Sequence, residues 1–149
     1  LICIFFALRL FMSDKLLTVG NTVAALDELY IWLSNPTAIE YIRNCLKRVR
    51  KKESAMLLAS QNLEDFDQEG VREMTKPLFS IPPHQFLFNA GSIDKRSYMD
   101  MLQLEESEYN LIKFPQRGVC LYKCGNERYL LEVHAPAYKE KLFGTAGGR

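Results

Sequence analysis

Two neighbouring carboxylates, Asp27 and Glu28, close the apolar run VAAL at 23–26. A chain that buries Val23 to Leu26 must leave both acids at the rim of that core, with no partner nearby in sequence. Carboxylates so placed are oxygen ligands for a hard cation and acceptors of a proton from water. The plain alternative is an acidic pair that opens a loop or a helix. A second apolar run, SAMLLAS at 54–60, ends on Gln61. A glutamine there donates to a phosphate oxygen and accepts from water without carrying charge, or simply caps the strand.

Cations gather between the two runs. Arg43, Lys47 and Arg50 share a helix face, and Arg48, Lys51 and Lys52 complete RVRKK at 48–52. A solvated face that complements the negative end of a helix dipole accounts for Arg43, Lys47 and Lys52. The second reading, for Arg50, is a finger that reaches a phosphate on a neighbouring subunit. A DNA path along the cluster is the third reading, although no aromatic residue interleaves with it to stack single strands.

The elements that position these residues follow from periodicity. Asn35-Pro36 starts a helix with proline at its first position, and Ile39, Ile42, Leu46 and Val49 form its apolar stripe to about Lys52. Strand, helix, strand without alternation predicts a βαβ unit in a covered parallel sheet with a right-handed crossover. Asp27 and Gln61 then both emerge at strand carboxyl ends, where open α/β sheets place their ligands.

Downstream, 61–74 reads as an acidic loop entering a short helix, with Pro77, Pro82 and Pro83 breaking the chain around LFSI. HQFLFNA at 84–90 reads as a third core strand, parallel and adjacent to the first two. SIDKRSYMDML (92–102), with a serine cap, and LEESEYNLIKF (104–114) read as helices; 118–135 reads as a hairpin around Cys124-Gly125-Asn126-Glu127. At the other end, LICIFFALRLFM is apolar almost all round, which suits a helix covered on several sides, and is too short to span a membrane.

Cys3, Cys45, Cys120 and Cys124 with His84 and His134 make a poor metal kit, because the spacing of the last two cysteines is wrong and no second pair follows. Free thiols in a reducing compartment are the expectation. Neither histidine has a nucleophile partner nearby, and Tyr30 and Trp32 read as core before they read as an adenine shelf. The 149 residues are 48% hydrophobic and 25% charged with a net charge of +1, which excludes a surface wholly devoted to nucleic acid.

The ordered set — a strand ending in DE, a helix ending in RVRKK, a strand ending in SQ, then FNAGSIDKRSYMDMLQLEESE and RGVCLYKCGNERYLLEV — resembles the C-terminal part of the large conjugation ATPases of type IV secretion, the TraC/TrbE-like family of mobile elements. The resemblance runs from about Val23 to Tyr138. It implies an α/β, RecA-like three-layer domain over 1–138, lacking its Walker A half, with a C-terminal β-hairpin; 139–149, ending in GTAGGR, reads from composition as a flexible tail. On that template Asp27 and Glu28 resemble the Walker B pair. Asp27 would hold Mg²⁺ through water, Glu28 would polarise the attacking water, Gln61 would sense the γ-phosphate, and Arg50 with Lys51 matches the basic pair after the helix.

No Gly-x-x-x-x-Gly-Lys-Ser/Thr occurs in the 149 residues. ATP and Mg²⁺ are therefore expected on the full-length protein and neither tightly on this chain. The implied partners are further copies of the same protein and other secretion components, with DNA in the path reading. The implied location is the cytoplasm, at the inner face of the membrane through the secretion complex. The alternatives are a non-hydrolysing α/β module that binds protein or DNA, and a related DNA-pumping coupling motor.

Overall fold

A computed structural model describes residues 2–61, 63–89, 91 and 93–144, with backbone alone at 2–5 and 143. The chain divides into two compact units, residues 1–83 with 90–104, and residues 84–89 with 105–149.

The first unit is built on the predicted strand–helix–strand. Strand β1 (Val23–Leu26) pairs in parallel with β2 (Ala55–Leu58), Val23 opposite Ala55 and Leu26 opposite Leu58. Helix α2 (Pro36–Arg48) connects them. Asn35 caps it by accepting from the Thr37 and Ala38 N–H groups, Pro36 occupies the first turn, and a 3₁₀ turn over Val49–Lys52 ends it. Its stripe is buried as periodicity requires: Ile39 and Ile42 pack with Leu29, Phe66 and Leu78, and Val49 packs with Met12 and Leu16.

Both strands were expected to be fully buried. They alternate instead: Val23 is 72% and Leu57 59% exposed, while Leu26, Met56 and Leu58 pack on the cores. Among the described residues, only the face toward α2 is covered.

Helix α1 (Ile2–Met12) runs on as π-helix over Ser13–Val19. The expectation of cover on several sides fails, because Phe6, Leu10 and Phe11 are all more than half exposed. Leu8, Met12 and Leu16 lie on its packed side, where the Tyr41 hydroxyl also ties it to α2 through Ser13 Oγ at 2.9 Å and the Arg9 carbonyl at 3.0 Å. Burial pushes the Tyr41 hydroxyl up to about 12.

Helix α3 (Arg72–Ser80) contains Pro77, so the expected break falls inside a helix. An interior proline costs about 3 kcal/mol. Here Leu78 and Phe79 reach the core, and Thr75 bonds back to the Val71 and Arg72 carbonyls. Phe66, fully buried, meets Phe79 edge-on at 5.2 Å and pins the segment after Gln61. Helix α4 (Lys95–Leu102) is capped by Asp94, which accepts from the Arg96 and Ser97 N–H groups; the expected cap, Ser92, lies outside the described residues.

The second unit corrects the place of the third strand. Strand β3 (His84–Leu87) is neither parallel nor adjacent to β2; it pairs antiparallel with β4 (Val119–Cys124), which pairs antiparallel with β5 (Glu127–Glu132). Cross-strand ring pairs fit this register: Phe86 stacks on Tyr122 at 4.7 Å, and Tyr122 on Tyr129 at 6.1 Å. The β4–β5 turn has Gly125 at its first central position with φ 57°, as a two-residue hairpin loop favours.

Helix α5 (Glu106–Ile112) packs on β4. Glu108 serves it twice, accepting from the Glu105 N–H at 2.7 Å and pairing with Arg128 at 3.0 Å. Burial lowers the pKa of Lys123 on the covered side of β4, with the nearby Arg128 charge adding to the effect. Helix α6 (Ala137–Phe143) follows and takes in the first residues of the segment expected to be flexible, 139–149, of which 145 onward lies outside the described residues.

Candidate functional site at the carboxyl edge of the parallel strands

A regular parallel ladder has Ala59 donate to one carbonyl on β1 and accept from the N–H two residues further on. Ala59 N–H donates to Leu26 C=O at 2.9 Å, but its carbonyl accepts from Leu29 N–H, also at 2.9 Å, three residues on. One extra residue is therefore held between the two bonds, as in a β-bulge. Glu28 takes the left-handed conformation, φ 51° and ψ 52°, which costs a non-glycine residue about 1–2 kcal/mol.

The bulge leaves the Glu28 N–H without its ladder partner, and Asp27 Oδ1 accepts it at 2.9 Å. Asp27 thus stabilises the turn that aims its neighbour. The Glu28 side chain crosses to the segment that follows β2, where Gln61 Nε2 donates to its Oε1 at 2.5 Å. Its other oxygen, Oε2, is shielded from solvent and has no hydrogen-bond partner among the described residues. The Asp27 and Gln61 side chains are exposed.

The structure brings Asp27, Glu28 and Gln61 together and leaves Arg50 apart. Arg50 is exposed on the 3₁₀ turn that precedes β2, at the amino end of the strand whose carboxyl end leads to Gln61. Lys51 and Lys52 share that turn, and Lys47 and Arg48 precede it. Tyr30 is exposed, whereas Trp32 packs against the core.

The remaining candidates stand elsewhere. His84 Nδ1 bonds the Tyr122 hydroxyl at 2.8 Å, and His134 lies 3.2 Å from Glu132. Cys45 and Cys120 are buried free thiols, their pKa raised by burial. Among the described residues, no three His, Cys, Asp or Glu side chains converge as for a metal, and no helix is long and apolar enough to cross a membrane.

Sequence reasoning missed the role of Leu29 and Ala59, whose backbone groups bracket the acids. No side-chain pattern announces it.

The donor set suits a small hard cation. Mg²⁺ binds few carboxylates and keeps much of its water, so the exposed Asp27 carboxylate meets its chemistry. The donors for a triphosphate, a glycine-rich loop with its lysine, are not among the 149 residues.

Fold and site together define a mixed α/β protein in which a parallel strand–helix–strand unit presents an acid–amide pair at its carboxyl edge. No family model matches the chain. It is 35% identical over 101 residues to a probable conjugal transfer protein TrbE (the second of its segments) of Sinorhizobium fredii, and 33% identical over 101 residues to the conjugal transfer protein TrbE of Rhizobium radiobacter, each alignment taking in 66% of this chain. Among solved structures, VirB4 of Thermoanaerobacter pseudethanolicus is similar with a TM-score of 0.77 and 27% identity over 91% of this chain. These similarities support a C-terminal part of a TraC/TrbE/VirB4-like type IV secretion protein. It spans 15% and 12% of the two curated relatives and 36% of the VirB4 chain.

Proposed function

We propose that the chain is the distal portion of an ATPase domain that energises assembly or operation of a conjugative DNA-transfer channel. The observation that carries this reading is the Glu28–Gln61 pair, held by a bulge at the carboxyl end of two parallel strands. A RecA-like three-layer sheet fits the bare outer face of β1 and β2, because parallel sheets are covered on both faces.

In the mechanism, Glu28 Oε2 accepts the proton of the attacking water, since Oε1 is taken by Gln61. Asp27 steadies the Glu28 backbone with one oxygen, and its carboxylate would hold the cation through water. Mg²⁺ bound there supplies charge neutralisation for the phosphates. Gln61 keeps a second amide hydrogen for the γ-phosphate. Arg50, remote from these groups in its own chain, acts on the site of an adjacent subunit, which makes the working form a homo-oligomer. Other secretion components, the transferred DNA and the inner face of the membrane are its surroundings.

The test is ATP turnover by the full-length protein. Glu28→Gln keeps shape but removes the base, so nucleotide should remain bound while turnover falls about 10²–10⁴-fold. Undiminished turnover would return the acids to a solvated loop start. The 149-residue chain by itself should show no micromolar ATP binding in calorimetry, because backbone N–H groups and a lysine of the glycine-rich loop supply most phosphate affinity. Micromolar binding would mean that the site is misplaced.

A further inference from the structure

We infer that Gln61 is a positioning residue whose main effect on hydrolysis runs through Glu28, before any contact of its own with phosphate. This rests on the proposed ATPase reading.

Three observations converge. The Gln61 amide is engaged on Glu28 Oε1 at 2.5 Å, a charge-assisted bond stronger than a neutral one. The Glu28 backbone is held left-handed by Ala59 and Asp27, so its side chain leaves the strand in a fixed direction. Oε2, shielded and without a hydrogen-bond partner among the described residues, keeps both of its lone pairs to take a proton. A glutamate side chain has three rotatable bonds, and the half-buried setting that shields Oε2 does not by itself fix the carboxylate plane. The amide supplies that restraint: with Oε1 tied to the segment that follows β2, the carboxylate plane is set and one lone-pair direction is presented to water.

Losing the donor frees the carboxylate to turn, and a misplacement of about 1 Å costs roughly 10²-fold in rate. Such a loss falls on kcat, because substrate binding does not depend on which carboxylate oxygen faces the water.

A double-mutant cycle on the full-length protein tests this, with kcat, KM and ATP affinity measured for Gln61→Ala, Glu28→Gln and the pair. The expected result is a kcat lower by about 10²-fold for Gln61→Ala, with KM and affinity within about threefold, and a double variant no slower than Glu28→Gln. Multiplying losses, or a raised KM with kcat intact, would overturn the inference and leave the ATPase reading standing. Full turnover by Glu28→Gln would overturn both.

A readout independent of hydrolysis uses the 149-residue chain. The Gln61 side-chain amide protons should resonate downfield of the other glutamines by NMR and exchange more slowly, and Glu28→Ala should abolish both differences. Resonances indistinguishable from exposed glutamines would overturn the inference without any assay of ATP.

Discussion

The two ends of the β1–β2 pair are built from opposite materials. At the carboxyl end, side chains do the organising: Asp27 satisfies the N–H that the ladder skips, and Gln61 holds Glu28. At the amino end backbone bonds predominate, helped by the uncharged Ser54 hydroxyl. Asn21 N–H donates to Lys52 C=O at 3.0 Å, Ala55 N–H to Thr22 C=O at 2.9 Å, and Thr22 N–H to Ser54 Oγ at 3.2 Å, while the nearby cations point to solvent. The difference separates two kinds of residue that a sequence presents alike. Charges locked into local hydrogen bonds act within their own chain. Charges left free on a rigid turn are available to another molecule.

Substitutions can break this contrast, and the largest effect is expected at the amino end. If Arg50 serves a neighbouring subunit, Arg50→Ala should lower turnover of the assembled oligomer about 10³-fold or more, the range for an arginine finger. Nucleotide affinity of the monomer should not change. Equal loss in monomer and oligomer, read by turnover after size separation, would place Arg50 on the wrong side of the comparison.

Next comes Asp27→Asn. It retains an oxygen for the Glu28 N–H but removes the charge near the cation, so Mg²⁺ affinity should weaken roughly 10–100-fold with the fold intact. Titration of turnover against Mg²⁺ measures this, and an unchanged midpoint would confine Asp27 to its backbone bond.

Gly20→Ala probes the backbone side. Gly20 has φ 86°, and an added Cβ would lie 2.6 Å from the Lys52 carbonyl oxygen. The expected cost is at least about 1–3 kcal/mol of stability, from the backbone conformation alone. Denaturant unfolding of the 149-residue chain reads it, and a neutral result would mean that the amino-end turn yields easily. Lys47→Ala is the smallest: an exposed cation at the end of α2 should change stability by no more than about 0.5 kcal/mol and leave turnover alone.

Much of this contrast was legible in sequence. The unbroken runs VAAL and AMLL, with an Asn-Pro start and an Ile39–Ile42–Val49 stripe between them, dictated a parallel unit, and so brought Glu28 and Gln61 to one edge. Arg50 was legible as an exposed cation on the same grounds. What escaped reading depends on pairings that periodicity does not encode. The bulge arises from a choice between the Glu28 and Leu29 N–H groups, which carry identical backbone chemistry. The third strand was misplaced because a short apolar run does not state its partner; stacking of Phe86 on Tyr122 favours the hairpin. Pro77 misled because its usual cost was weighed without the core contacts of Leu78 and Phe79.

The central claim is that the carboxyl edge, and not the cationic amino edge, faces the reacting phosphate within a subunit. A structure of the full-length protein with Mg²⁺ and a non-hydrolysable ATP analogue tests it directly. The account predicts the γ-phosphate beside Glu28 and Gln61, with the cation on the Asp27 side and Arg50 approaching only from an adjacent subunit. A γ-phosphate seated against Arg50 and Lys51 of its own chain, with Glu28 and Gln61 still facing solvent, would contradict it.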